Sequence, residues 1–154
     1  MLVAGGWWLV HGLTASNQYQ QLNSFVPISP VRVYDSRLPQ PAQGKIVVGT
    51  PRVVSVKDAR NQTTGAVTTA DVVPAGATAV FFNLTITQTE GSGYLSVVPG
   101  DAAAESGSSI NWTTANADIA NGLIGTISAA REFKVFAGGG GTTHFLIDIT
   151  GYYI

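Results

Sequence analysis

Residues 80–87 read VFFNLTIT, and their alternation places Phe82, Leu84 and Ile86 on one side and Phe81, Asn83, Thr85 and Thr87 on the other. A period of two belongs to a strand with one face on a core and the other toward water. The same period joins Phe133 to Val135 in EFKVF, and joins Phe145, Ile147 and Ile149 in HFLIDIT opposite His144, Leu146 and Asp148. A helix cannot use that period, so these segments commit the chain to sheet. Runs rich in Val, Ile, Phe and Thr at 31–35, 46–48, 52–56, 94–98, 109–112 and 123–128 raise the expected total to eight or nine short strands. Breakers at 39–44, 74–76, 91–93, 99–101 and 138–141 separate them, and no long helical period occurs. The expected fold is all-β, a single antiparallel β-sandwich of jelly-roll or Ig-like type. The tetraglycine 138–141 is expected as a hairpin tip, because a phosphate-binding loop would need a helix after it. The stretch DAAAES at 101–106 suits one helical turn or a surface loop and carries no signature.

A length of 154 residues fits one domain with a short extension. The chain is 45% hydrophobic and only 11% charged, which excludes disorder driven by charge. A net charge of -1 gives no excess to hold nucleic acid or an anionic membrane, so neither is an expected partner. The absence of Cys removes disulfides, thiolate metal sites and cysteine nucleophiles. A surface this poor in charge points to cover by partner subunits.

Residues 1–25 are expected to form an extended arm ahead of a sandwich at 26–154. Its opening MLVAGGWWLVHGL is too short to span a membrane, and it lacks the basic start and small-residue cleavage site of a signal peptide. Trp7, Trp8, Leu9 and Val10 are its anchor candidates, since Trp buries well at interfaces. The uncharged polar stretch 14–24 reads as a connector.

Arg32, Asp35, Arg37, Asn83, Asn111, Asn121 and Asp148 lie within or beside apolar strand segments, where an unpaired polar group costs about 1 to 3 kcal/mol. They are expected to form a structural polar network, with Arg37 satisfying Asp35 or Asp148 and the asparagines tying loop backbones. A carbohydrate or metal site from the same residues is the sharper alternative, but no segment has the dense acidic spacing that Ca²⁺ needs, and no cofactor or metal is expected. His11 and His144 are the only histidines, no Gly-x-Ser-x-Gly occurs, and the three Glu residues form no evident carboxylate pair, so no catalytic residue is expected. The sequons at Asn61, Asn83 and Asn111 are discounted as chance products of a Thr-rich chain. Tyr19, Tyr34, Tyr152 and Tyr153 could form a sugar platform, although core or interface packing is the plainer use.

Several separated motifs, in order, resemble a known family: RVYDSR at 32–37, VPAGATAVFFNLTIT at 73–87, GYLSVVP at 93–99, SSINW at 108–112, Ala120-Asn121, and IDITGYY at 147–153. The chain from about residue 30 onward resembles the β-sandwich modules of secreted and cell-surface proteins of actinobacteria and of the phages that infect them. Residues 1–29 lie outside the resemblance. It implies a sandwich without enzymatic activity of its own. The first functional expectation is a virion structural protein, a capsid decoration protein whose arm docks on the major capsid protein, other virion proteins or copies of itself, with a trimer as the expected closed arrangement. A small tail or head-fibre component is its variant. The second is a secreted or cell-surface module that binds cell-wall carbohydrate, and a subunit of a cellular filament or shell shares the arm argument.

Overall fold

The computed structural model describes residues 24–154, so Tyr19 and the anchor candidates Trp7, Trp8, Leu9 and Val10 lie outside the described residues. Ten strands follow in order: β1 (Phe25–Asp35), β2 (Arg52–Ser55), β3 (Ala59–Arg60), β4 (Val67–Thr69), β5 (Ala79–Glu90), β6 (Gly93–Pro99), β7 (Ile110–Trp112), β8 (Ile119–Thr126), β9 (Glu132–Gly139) and β10 (Thr142–Tyr153). No helix occurs among the described residues, and 101–106 is loop.

One four-stranded sheet has the order β1-β10-β5-β8, and the other has the order β2-β9-β6-β7, all antiparallel. Setting aside the small β3-β4 hairpin, the first strand pairs with the last, the second with the second last, and so on inward. The chain is therefore one long antiparallel ribbon rolled into two sheets, which is the jelly-roll arrangement and not the Ig-like one.

The alternation of the sequence sets the layers. Phe82, Leu84, Ile86, Phe145, Ile147 and Ile149 of the first sheet and Val54, Leu95, Phe133 and Val135 of the second are all buried between the sheets. Rings interlock across the gap: Phe82 meets Phe133 at 4.8 Å between centroids. Each such side chain contributes about 1.5 to 3 kcal/mol by leaving water.

The tetraglycine corrects one expectation. Gly138 and Gly139 end β9 as partners of Tyr94 and Gly93, and the chain then crosses at Gly140 and Gly141 to β10 in the opposite sheet. It is a corner between sheets, not a hairpin tip, because β9 lies between β2 and β6 while β10 lies between β1 and β5. The β5 to β6 corner runs beside it, and a Cβ on Gly141 would fall 1.9 Å from the Glu90 carbonyl oxygen, so only glycine lets the corners stack. The segment 46–48 is also no strand; Ile46 makes a single bridge to Thr143.

Candidate functional site

The outer face of the first sheet gathers the polar motif residues. The register sets Arg32 of β1 beside Asp148 of β10, and Asp148 beside Asn83 of β5. Arg32 donates from Nε and Nη2 to the two Asp148 carboxylate oxygens at 2.7 and 2.8 Å, a bidentate fork, and from Nη1 to Asp35 at 3.1 Å. Arg37 closes on Asp35 from the other side, through its amide at 3.0 Å, Nε at 2.9 Å and Nη2 at 2.7 Å. Asp35 thus accepts four hydrogen bonds, with its side chain 1% exposed.

Burial alone would push the Asp35 carboxyl up, but the Arg37 side chain and amide, aided by the Arg32 charge, outweigh it and hold Asp35 below the usual carboxylate value. The Arg32 guanidinium is raised chiefly by its hydrogen bond to Asp148, and that of Arg37 by Asp35. The four groups fix β1 to β10 and pin the turn after β1, with no lone pair of Asp35 turned to a ligand.

Beside this clamp lies a Ser–His contact that the sequence reading missed. The Phe145 amide donates to Ser36 Oγ at 2.9 Å, and Ser36 Oγ stands 2.9 Å from His144 Nδ1. A hydroxyl proton directed at Nδ1 requires the neutral Nε2–H tautomer, and donation from Nδ1–H to the hydroxyl requires the other. Burial, then the charge of Lys45, holds His144 below the usual histidine value, which favours the neutral ring. Ser36 is fully enclosed, and its contacts tie the turn after β1 to His144 and Phe145 of β10. The two residues are 108 apart in sequence, and although Ser36 lies within RVYDSR, nothing in that motif names His144 as its partner.

Arg52 of β2 reaches across to the first sheet, donating to the Tyr34 hydroxyl and the Gly44 carbonyl, each at 2.8 Å, with its guanidinium 5.8 Å from the Phe145 ring centre. The Tyr34 hydroxyl donates to the Ala42 carbonyl at 2.8 Å, so Tyr34 is a buried brace and not part of a sugar platform.

The three asparagines lie outside the clamp. Asn83 Nδ2 donates to Thr85 Oγ1 at 3.1 Å, and Asn111 Nδ2, exposed on β7, donates to Ser108 Oγ at 3.1 Å in the loop before that strand. Asn121 is exposed on β8 and donates to the Ser109 carbonyl at 2.9 Å, clipping the edge of the first sheet to the loop before β7. The seven residues therefore form one four-membered clamp and three separate ties. All seven are paired, as expected, but only Asp35 is buried, and of the asparagines only Asn121 ties a loop backbone, since Asn83 and Asn111 bond to side chains.

Elsewhere, Lys45 pairs with Glu90 at 2.6 Å, and Arg131 pairs with Asp71 while donating to the Val73 carbonyl. No cluster of His, Cys, Asp or Glu suited to a metal occurs among the described residues. A shallow hollow of about 340 Å³ is lined by Gly76, Ala77, Thr78, Ile127, Ser128 and Ala129, none of them titratable. No helix among the described residues is long and apolar enough to cross a membrane. No protein-family model matches the chain, and no curated protein matches it.

Proposed function

We propose that this chain is a non-enzymatic virion structural protein of a phage infecting actinobacteria, acting as a capsid decoration protein. The observation that carries the non-enzymatic part is the closure of the clamp: the charged motif residues are spent on one another around a fully enclosed Ser36, building a rigid sandwich. The virion assignment rests on the motif order from RVYDSR to IDITGYY and its resemblance to the phage and actinobacterial modules. Jelly-roll sandwiches serve as viral capsid domains, an analogy of architecture that agrees with it.

In this reading the sandwich is a knob and the residues ahead of Ser24 are the docking arm, its boundary earlier than the expected residue 25 because Phe25 already belongs to β1, with Trp7, Trp8, Leu9 and Val10 buried against the shell or neighbouring copies. Ser24 joins β1 by exchanging backbone hydrogen bonds with Ile154 at 2.8 and 3.1 Å, so whatever holds the arm takes its load at a paired sheet end. The test mixes the full chain, and the same chain carrying Trp7→Ala and Trp8→Ala, with capsid shells purified without the protein. The account expects saturable binding of the full chain and at least tenfold weaker binding of the double variant. Equal binding, or none by either, overturns it.

One observation favours a second reading. Phe25 and Tyr153 lie 5.1 Å apart at 47° on the same outer face as Phe81, which is 39% exposed, beside Asn83 and Thr85. Such aromatics next to amide and hydroxyl groups suit a cell-wall polysaccharide, and lectins also use jelly rolls. Retention on insoluble actinobacterial cell wall, lost with Phe81→Ala, would favour this reading over the first.

A further inference from the structure

The two sheets present four edge strands, and three are guarded. β1 carries Pro27 and Pro30 and two breaks in register. β2 has four residues, begins with Arg52 and follows Pro51. β7 has only three residues. Short length, proline, charge and bulges are the usual devices that stop edges from pairing with other chains.

β8 has none of them. Its eight residues, IANGLIGT, include no charged side chain and no proline, and its register with β5 runs unbroken from Ile119 to Thr126. No strand lies on its far side among the described residues, so every second backbone N–H and C=O points outward. Ile119 is 37% exposed, and Ile124, at 62%, is the most exposed large apolar residue of the described sandwich.

We propose that β8 is a self-association edge, which pairs antiparallel with β8 of a second copy to make one continuous eight-stranded sheet. A second copy offers a matching unguarded, uncharged strand, since among the edges of the two four-stranded sheets only β8 combines length with the absence of charge and proline. Two β8 strands meeting antiparallel form an isologous contact that closes at two copies and leaves only the guarded β1 strands at the ends of the joined sheet. Charge agrees, because Asp118, the acidic residue flanking β8, falls at opposite ends of the paired strands.

The side chains favour a register centred on Gly122. Ala120, Gly122 and Ile124 share the outer face with Thr85, Asn83 and Phe81. Centring on Gly122 sets Ile124 of each copy against Ala120 of the other. Phe81 already reaches toward Gly122, so Ile124 of the copy meets an apolar floor. The contact uses the sandwich edge and is independent of residues 1–25 and of the virion reading.

The test uses the full chain. Light scattering over a concentration series should give a dimer that Ile124→Lys weakens at least tenfold, with circular dichroism unchanged. The protein has no Cys, so Gly122→Cys introduces a single thiol at a site where an added Cβ meets nothing closer than 3.8 Å. Across the two-fold axis it should oxidise to a disulfide-linked dimer, while Thr69→Cys on the exposed β3-β4 hairpin should not. A full chain that stays monomeric at every concentration overturns the inference. So does association that survives Ile124→Lys, or cross-linking equal at both sites. Association lost only with Trp7→Ala and Trp8→Ala would also overturn it while supporting the arm.

Discussion

The first sheet has two edges of opposite character. Along β1 stand Arg32, two prolines and two register breaks, with Asp35 and Arg37 at its end, whereas β8 is uncharged, proline-free and unbroken. The β1 side spends its charge inward, on Asp148 of the neighbouring strand and on Asp35 at its own end. The opposite edge, β8, shows only uncharged side chains, with Ile119 and Ile124 exposed among them. Charge does two jobs at a sheet edge: it ties the edge to its own sheet and deters other chains. An edge without it is left open to pairing.

The largest expected effect breaks the guarded side. Asp35→Ala removes the acceptor shared by Arg32 and Arg37 and should cost about 3 kcal/mol in urea unfolding, since it strands charge that is partly buried. Acid attacks the same side. Asp35 is depressed in the folded state, so its stabilising contribution is present above the ordinary carboxylate value, about 4, and is lost as pH falls through its folded value. His144 is also depressed, which makes the folded state favour the neutral ring; its contribution holds above about 6.5 and fades on acidification. Stability should therefore fall in two steps below neutrality, and His144→Gln should remove the upper one in a pH series of thermal melts.

Smaller effects sharpen the open side. Asn121→Ala removes the clip from β8 to the Ser109 carbonyl and should cost about 1 kcal/mol in urea unfolding. Ile124→Lys should leave monomer stability within about 0.5 kcal/mol, because the side chain is mostly exposed, and alter only association.

The sequence made the layers legible where strands were long. Phe82, Leu84, Ile86, Phe145, Ile147 and Ile149 all face the core as their period required. Short elements escaped: β3 and β4 have two and three residues, too few to show a period. β8 was placed four residues late at its start, because Asn121 and Gly122 have poor strand propensity and an exposed edge need not alternate. The tetraglycine misled because local sequence shows that a chain turns but not which sheet it turns into. In the site, residue types were readable but their grouping was not: Arg32 and Asp148 stand 116 residues apart, as only the ribbon's first-to-last pairing explains. Arg52 gave no signal, and Ser36, although inside RVYDSR, gave none of its contact with His144.

Amide hydrogen exchange on the full chain, followed as protein concentration rises, reads both edges at once. The account predicts that the outward amides of β8 between Ile119 and Thr126 gain protection with concentration while those of β1 do not change. Outward β8 amides that exchange freely at every concentration, or protection that grows along β1 instead, would contradict it.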